Sequence, residues 1–443
     1  MNNINIIGAG LTGPLLSIYL AKQDFAISLF EKRTDCRISS EYNGRSINLA
    51  LSERGINSLK EVSLYESIKN IMIPMKGRMI HSINGKLDFQ PYGNNKNEYI
   101  YSVSRLELNK KLLDCAESLG VKVNFSQNLA GYDLKRNLLD FGLDIIENTA
   151  ISIGCDGINS AIGKEISKDT PNSRKTENLE CSYKEFNIPQ KNNKFQLDSN
   201  ALHIWPRKSF MMIALPNTDK SFTCTLFLPN KGKNSFKENK TNYEIENFFS
   251  HNFPDIIQLM PDYINQYKSN PVSSLATVYM DKWYYKSKVC VLGDAAHAIV
   301  PFFGQGMNAG FEDCSVFNKL IYKFDGDWEI FFRLFQESRK ENCDAIAKMA
   351  LENFIEMRDG VLDAKYLLKK KISYVLENQY HKRFIPRYSM VSFHTIPYKN
   401  VYQIGKAQDK ILDILIARGF TEKNIDFKLA DRLITKQLDP LNV

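Results

Sequence analysis

Three glycines near the start of the chain have the types and spacing needed to bind the phosphates of a nucleotide. Gly8, Gly10 and Gly13 follow the apolar run at residues 4–7, and an amphipathic helical pattern begins directly after them. The first glycine allows a tight turn, the second lets a pyrophosphate approach the backbone, and the third lets helix and strand pack closely. The helix N-terminus then faces the phosphate charge. The loop residues expected to bind a dinucleotide are Gly8, Gly10, Leu11, Thr12 and Gly13.

An acidic residue completes this motif. A second β-rich run, residues 25–30, ends at Glu31. A carboxylate at the end of the second strand accepts hydrogen bonds from an adenosine ribose. Strand, glycines and acid in this order are far more specific than the glycines alone. The motif serves FAD and NAD equally, so it leaves the choice of dinucleotide open.

Two further motifs favour FAD. Residues 149–157 form an apolar run that ends in an Asp-Gly turn, and residues 288–294 form another that ends at Asp294. An Asp at the carboxyl end of a strand lies where ligands of open α/β sheets bind, so we expect Asp294 to reach the ribityl chain. The glycine cluster at 304–310 indicates that another group approaches the backbone closely at the start of a helix. Amide groups there could stabilise the negative charge of a reduced flavin.

Two side chains in this region have both a functional and a structural interpretation. His297 could act as an acid or base, but its place in a turn after the strand favours a structural hydrogen bond. Ser104 and Glu107 have capping-box spacing, which puts Arg105 in the first turn of a helix. A cation opposes the helix dipole there, and a nearby flavin or phosphate anion would explain it. The alternative for Arg105 is a solvated side chain.

Composition and charge exclude several other classes of protein. The 443 residues suggest two or three lobes, and the net charge of +8 shows no dense basic stripe of a nucleic-acid binder. The eight cysteines form no C-x-x-C pair and no metal-ligand spacing, so we expect no metal and a reducing, cytoplasmic location. The first apolar run leaves no room for a signal peptide, and no apolar run is long enough to span a membrane.

Together these motifs resemble the class A flavin-dependent aromatic hydroxylases. The blocks between them narrow the resemblance to the kynurenine 3-monooxygenase family. These blocks are residues 44–52, 73–81, 91–93, 202–207, 210–216, 221–227, 293–313, 353–358 and 384–388. The resemblance extends roughly over residues 3–395.

The resemblance implies an enzyme that binds FAD and uses NADPH and O2 to convert L-kynurenine to 3-hydroxykynurenine, on the route to quinolinate and NAD. The oxygen is then carried as a flavin C4a-hydroperoxide, so no catalytic side chain is expected beyond the flavin. Two alternatives stay open: a hydroxylase of another aromatic acid, and a flavin-binding regulatory protein without turnover. Membrane-anchored animal members carry an apolar C-terminal helix that this sequence lacks, so we expect a soluble protein. The sequence shows no sign of an obligate protein partner, and none is expected.

The resemblance also implies the site residues. Arg78 and Tyr92, with Asn353 and Tyr388, correspond to residues that hold the amino-acid end of the substrate, and an Arg can grip a carboxylate with two hydrogen bonds. The implied cofactor contacts, besides the glycine loop, are Glu31, Lys32, Arg33, Ala50, Arg105, Leu129, Asp294, Gly306, Met307 and Asn308. At Gly163 many relatives have an Arg, which puts the contact at that position in doubt.

The expected fold is α/β: a Rossmann-type FAD-binding domain, a smaller and mostly antiparallel β-sheet substrate domain, and a helical C-terminal segment. The FAD-binding domain is expected to be discontinuous, with residues 1–72, 100–178 and 275–335. The substrate domain then comprises residues 73–99 and 179–274, and the helical segment residues 336–443.

Overall fold

The computed structural model describes residues 3–38, 48–142, 144–148, 150–168, 173–324, 326–358 and 360–441. Residues 44–47 of the first resemblance block and Thr149 of the Asp-Gly motif lie outside these ranges. The chain divides into two compact units, the first comprising Met1–Met72, Val103–Leu179 and Ala276–Ala347. The second comprises Ile73–Ser102, Glu180–Leu275 and Lys348–Val443. The three-part division expected from the sequence stays a prediction, since a compact unit can hold more than one domain.

The strands are β1 (Asn3–Ile7), β2 (Ala26–Phe30), β3 (Asn48–Leu51), β4 (Met72–Met75), β5 (Gly77–His81), β6 (Leu87–Pro91), β7 (Ile100–Ser104), β8 (Lys122–Asn124), β9 (Gly131–Asp133), β10 (Leu138–Asp140), β11 (Ile145–Glu147), β12 (Ile151–Gly154), β13 (Arg174–Ile188), β14 (Ala201–Pro206), β15 (Met211–Pro216), β16 (Phe222–Pro229), β17 (Ser273–Met280), β18 (Tyr284–Tyr285) and β19 (Val289–Val291).

The helices are α1 (Thr12–Ala21), α2 (Glu53–Glu61), α3 (Tyr65–Ile68), α4 (Arg105–Ser118), α5 (Ala161–Lys168), α6 (Asn242–Asn252), α7 (Pro254–Leu259), α8 (Tyr263–Ser269), α9 (Asp294–His297), α10 (Gly306–Ile321), α11 (Trp328–Arg358), α12 (Ala364–Gln379), α13 (Arg387–Ser392), α14 (Tyr398–Ala417) and α15 (Phe427–Gln437). Short 3-10 helices lie at Lys69–Ile71, Pro301–Phe303 and Gly360–Leu362.

A six-stranded sheet of order β18-β19-β12-β1-β2-β8 forms the centre of the first unit. β1 pairs in parallel with β2 and β12, β12 with β19, and β2 with β8, while the edge strand β18 is antiparallel. Ile4 and Ile6 of β1 are fully buried, as in parallel sheets covered on both faces. Because the strands are parallel, the turns after β1, β12 and β19 meet at one edge of the sheet. The expected Rossmann-type architecture is confirmed.

A seven-stranded sheet of order β17-β13-β16-β15-β14-β5-β6 has most of its residues in the second unit. β13–β16, β16–β15, β15–β14 and β5–β6 are antiparallel pairs, and β14–β5 is parallel. The sheet is therefore mostly antiparallel, as expected. One face packs on α6–α8 around large aromatic side chains, among them Trp205, Phe222, Phe249 and Phe253. Alternate residues of each strand enter this core because successive side chains point to opposite faces.

The last part of the second unit is helical, as expected. α12, α14 and α15 share an apolar core that includes Ile372, Leu376, Ile411, Leu415 and Ile434. Asp363 caps α12 by accepting a hydrogen bond from the backbone N–H of Tyr366, 2.8 Å away. None of the helices in the described ranges is both long enough and apolar enough to cross a membrane.

Candidate active site

The glycine loop of the first unit is shaped by two close contacts and one open space. Gly8 has φ +105°, and a Cβ there would lie 2.4 Å from the carbonyl oxygen of Cys155. A Cβ on Gly13 would lie 2.0 Å from the carbonyl oxygen of Gly8, so α1 starts in direct contact with the turn. Among the described residues, a Cβ on Gly10 would meet only the guanidinium of Arg105, 3.9 Å away. The loop therefore leaves room beside Gly10, where the motif places a pyrophosphate.

Two side chains hold the backbone of this loop. Glu31 Oε2 accepts a hydrogen bond from the N–H of Ala9 (2.8 Å), so its carboxylate is fixed at the carboxyl end of β2. Asn109 Nδ2 donates to the carbonyl oxygens of Ala9 (3.1 Å) and Gly10 (2.6 Å). Asn109 is buried on α4, one helical turn after Arg105. The sequence reasoning missed it; the available signal was the four-residue spacing, which puts both side chains on one helix face.

A close approach to the backbone was expected at the glycine cluster. At two of its positions, neighbouring protein atoms make that approach. A Cβ on Gly310 would lie 2.8 Å from Thr12 Oγ1, and a Cβ on Gly304 would lie 2.8 Å from the Cβ of Ala50. Neighbouring protein atoms, rather than a ligand, fill the space beside these two glycines. A Cβ on Gly293 would lie 3.1 Å from Thr12 Oγ1, and the φ of +59° with ψ of −145° at Gly293 suits glycine.

The start of α10 offers backbone donors. The first N–H groups of an α-helix have no partner within the helix, and here they belong to residues 306–308. Asn308 is fully buried, and its side chain is occupied by protein: Oδ1 accepts from the N–H of Ser52 (2.9 Å), and Nδ2 donates to the carbonyl oxygens of Ala50 and Gly304 (both 2.8 Å). Asn308 thus positions the β3 end, while the helix start remains available to an anionic group.

The other expected cofactor residues lie in varied surroundings. Asp294 is exposed as the first residue of α9, directly after β19. Lys32 is exposed, and Arg33 is half exposed with Nη1 3.5 Å from Glu31 Oε1. Leu129 is buried. The residue types present, with the space at Gly10 and the free amides of α10, fit a dinucleotide such as FAD.

A buried ionic network supports the turn before Asp294. Asp313 Oδ2 accepts from the N–H of Gly293 (2.9 Å) and from His297 Nε2 (2.6 Å), and Oδ1 accepts from Arg339 Nε (2.7 Å). Burial opposes charge on His297, but the adjacent Asp313 carboxylate outweighs it and raises the pKa of His297 well above its ordinary value. His297 is therefore a charged structural residue. With Cys343 these side chains also approach metal-ligand geometry, but the Asp313 carboxylate already bonds two cations.

Three of the four expected substrate residues come together in the second unit. Arg78 is 4% exposed, and its Cζ lies 5.7 Å from the ring centroid of Tyr92 and 5.1 Å from that of Tyr388. The two rings stack with centroids 5.0 Å apart and an interplanar angle of 9°. Nη1 of Arg78 lies 3.2 Å from Glu356 Oε1. We call Arg78, Tyr92, Tyr388 and Glu356 the arginine clamp.

Local structure explains this assembly. β5 and β6 form an antiparallel pair that places Arg78 opposite Gln90, so Tyr92 follows at the end of β6. A Cβ on Gly77 would lie 2.5 Å from the Gln90 carbonyl oxygen, so only glycine allows this close pairing. Tyr388 lies in the first turn of α13. Asn353 is buried on α11, three residues before Glu356 and so on the same side of the helix.

The guanidinium of Arg78 has spare hydrogen-bonding capacity. Its Nε is buried and has no hydrogen-bond partner among the described residues. A buried donor without a partner costs about 1–3 kcal/mol, so such an atom marks a place for a ligand. Although burial acts to lower the pKa of Arg78, nearby Tyr366 and Glu356 raise it above its ordinary value, so the guanidinium stays charged. The arginine clamp can therefore bind an anionic group.

The model of a family described as "FAD binding domain" matches residues 2–327. The kynurenine 3-monooxygenase of Dictyostelium discoideum is 45% identical, over 98% of this chain and 98% of its own length. The enzyme of the same name from Myxococcus xanthus is 43% identical, over 99% of this chain and 96% of its own. The chain belongs to the kynurenine 3-monooxygenase family. It is therefore a member of the FAD-binding flavoprotein monooxygenases.

Solved structures agree at the level of the fold. A tetrameric form of 2-methyl-3-hydroxypyridine-5-carboxylic acid oxygenase superposes with a TM-score of 0.66 at 16% identity, over 83% of this chain and 95% of that one. P. aeruginosa PqsL in complex with 2-aminobenzoylacetate superposes with a TM-score of 0.65 at 14% identity, over 81% and 97%. At these identities the similarity concerns the fold alone.

The sequence reasoning missed most residues that surround the arginine clamp. Tyr366 donates a hydrogen bond to Glu356, and Tyr374 donates to the carbonyl oxygen of Pro91 (3.0 Å). Both tyrosines lie on α12, eight residues apart and so on one helix face, with Lys370 midway between them. This spacing was the only sequence signal, and it is also typical of an ordinary amphipathic helix.

Proposed function

We propose that this protein is an FAD-dependent monooxygenase that hydroxylates L-kynurenine at ring position 3, with NADPH and O2 as co-substrates. The observation that carries the proposal is the buried Arg78, whose Nε has no partner among the described residues and whose guanidinium lies beside two tyrosine rings that stack on each other. An enzyme that binds kynurenine needs a cation of this kind, because kynurenine ends in an amino-acid carboxylate. We also propose a cytoplasmic location, since all eight cysteines are free thiols.

The charges of the arginine clamp suit a zwitterion. Arg78 and Glu356 present a permanent cation and a carboxylate side by side, 3.2 Å apart. The carboxylate of kynurenine would accept from the Arg78 guanidinium in a bidentate arrangement, and its ammonium would donate to Glu356. The stacked rings of Tyr92 and Tyr388 lie beside the guanidinium, which helps to keep water from competing for it. Asn353, buried one turn from Glu356, can add a directional hydrogen bond.

The first unit supplies groups that would hold FAD. The pyrophosphate would lie against Gly10 and Arg105, and Asp294 would hold the ribityl chain. The first N–H groups of α10, at Gly306, Met307 and Asn308, would face the anionic edge of the ring system. Bound FAD would accept the hydride of NADPH and activate O2. Glu31, Asn109 and Asn308 fix the backbone at these positions.

The proposal is tested with the purified full chain. We expect a yellow protein whose NADPH oxidation is accelerated by L-kynurenine, with one oxygen atom from ¹⁸O2 in the 3-hydroxykynurenine product. Anthranilate, which shares the aminobenzoyl ring but lacks the amino-acid head, should not accelerate it. A protein that hydroxylates anthranilate but not kynurenine would be a hydroxylase of another aromatic acid. A protein that binds flavin but neither substrate would be a regulator.

A further inference from the structure

One face of α12 packs against the arginine clamp. Tyr366, Lys370 and Tyr374 are four residues apart and so lie in one row along the helix. Tyr366 donates to Glu356 at one end of the row, and Tyr374 donates to the Pro91 carbonyl oxygen at the other. Lys370 therefore lies between Tyr366, which contacts the arginine clamp, and Tyr374, which contacts the end of β6.

Charged groups from each neighbouring element act on the ammonium of Lys370. Arg78 of β5 repels it, whereas Glu356 of α11 and Asp88 of β6 attract it, and the ring of Tyr374 on its own helix lies 5.9 Å away. Burial, with the repulsion from Arg78, lowers the pKa of Lys370 to about 8. Among the described residues Lys370 forms no ion pair, in contrast to Lys369, whose Nζ lies 2.9 Å from Asp413 Oδ2.

The arginine clamp together with Lys370 has more positive than negative charge. Arg78 and Lys370 supply two cations, and the carboxylate that acts on both is that of the partly buried Glu356, which already accepts from Arg78 and Tyr366. Asp88 is exposed to solvent and is therefore screened. Two partly buried cations with one shared carboxylate favour the binding of one further anion.

We propose that Lys370 is a second binding residue for the substrate carboxylate, acting beside Arg78. This inference rests on the proposed function, because it takes the carboxylate of kynurenine as the anion. A bound carboxylate would favour the protonated ammonium, so the pKa of Lys370 rises in the complex. Above pH 8 the free protein would have to take up a proton on binding, and kynurenine affinity then falls about tenfold for each pH unit.

The test is a titration of the FAD-loaded protein with L-kynurenine, followed by the flavin absorbance change, between pH 6.5 and 9. The variants are Lys370→Met and Lys370→Arg. Lys371→Met is the matched control, because Lys371 is 64% exposed with Nζ 3.7 Å from Glu422 Oε1. The ammonium of kynurenine titrates identically in every experiment. A difference in the pH dependence of Kd between a variant and the wild type therefore reports on Lys370. FAD content and melting temperature report whether each variant folds.

For the wild type we expect a constant Kd up to about pH 7.5 and a rising Kd above pH 8. Lys370→Met should weaken binding about 10- to 100-fold at pH 7, the size of a charge-assisted hydrogen bond, and remove the rise. Lys370→Arg should bind like the wild type at pH 7 and also remove the rise. Lys371→Met should change neither quantity.

This design distinguishes a failure of the role of Lys370 from a failure of the proposed function. If the wild type binds kynurenine and both Lys370 variants keep its Kd and its pH dependence, the role of Lys370 is wrong while the proposed function stands. If the wild type does not bind kynurenine at any pH, the proposed function is wrong, and the role of Lys370 with it.

Discussion

Replacing Arg78 by alanine tests the division between substrate and cofactor residues. The Nε–H has no partner among the described residues, and the guanidinium edge that carries it can donate to a carboxylate, which corresponds to two charge-assisted hydrogen bonds of about 1.5–3 kcal/mol each. Water that enters the vacated space replaces part of this energy, so we expect a net loss of about 3 kcal/mol. That loss raises the Kd for kynurenine roughly a hundredfold. Arg78→Lys keeps the charge without the planar fork, so its Kd should rise only about tenfold.

The assay is the kynurenine-induced change in flavin absorbance, with FAD content measured for each variant. FAD affinity should stay at the wild-type value, because the expected FAD contacts all belong to the first unit and Arg78 to the second. Arg136→Ala is the control, since this side chain is 79% exposed. Loss of Arg78 leaves Glu356 with Tyr366 as its remaining bonded partner, so a lower melting temperature is expected as well. If Arg78→Ala releases FAD, or binds kynurenine normally, the assignment of Arg78 is wrong.

Three other variants test the cofactor loop, its supporting network and a buried acid. Gly10→Ala should fold normally but bind FAD at least tenfold more weakly, because its Cβ enters open space, whereas Gly13→Ala should also lower the melting temperature. Asp313→Asn should lower the free energy of unfolding by about 3–5 kcal/mol, since it leaves two buried cations without their shared carboxylate. Glu377 has a pKa raised from 4.5 to about 8 by burial and by Glu98, so the fold loses stability as pH rises through this window, by up to about 5 kcal/mol. Glu377→Gln should remove that pH dependence.

Each of these three expectations has an outcome that contradicts it. Normal FAD binding by Gly10→Ala would mean that the pyrophosphate does not approach this glycine. Wild-type stability of Asp313→Asn in urea would mean that His297 and Arg339 are neutralised in another way. A melting-temperature difference between Glu377→Gln and the wild type that is the same at pH 5 and pH 8.5 would mean that Glu377 titrates normally.

The sequence predicted those features that depend on local geometry. The glycine loop follows from backbone sterics: Gly8 has a positive φ, and Gly13 touches the turn. Arg105 follows from helix capping, since Ser104 Oγ accepts from the N–H of Glu107. The parallel sheet follows from apolar runs that alternate with helical periodicity. In each case the signal lies in residues that are close together along the chain, even where the strands that pair are far apart.

Features that depend on contacts between distant segments were not predictable from the pattern. Gly310 and Thr12 lie far apart in the chain, so nothing in the cluster at 304–310 indicated that a threonine side chain fills that space. Glu356 is an ordinary helix residue until folding brings it 3.2 Å from Arg78. The resemblance supplied Arg78, Tyr92 and Tyr388, and only the structure added the charges that surround them.

The surroundings of Gly163 combine a close packing contact between two helices with a charged side chain from a distant strand. A Cβ there would lie 3.2 Å from the carbonyl oxygen of Ala295, so α5 packs on α9 more closely than most side chains allow. The resemblance implied an arginine at this position, and the chain has glycine instead, yet a cation lies beside the Asp-Gly turn. Arg174, at the start of β13, donates from Nη2 to the carbonyl oxygen of Ile158 (2.6 Å), and its charge acts on Asp156. A positive charge beside the turn thus comes from β13 rather than from α5, and it coexists with the close α5–α9 packing.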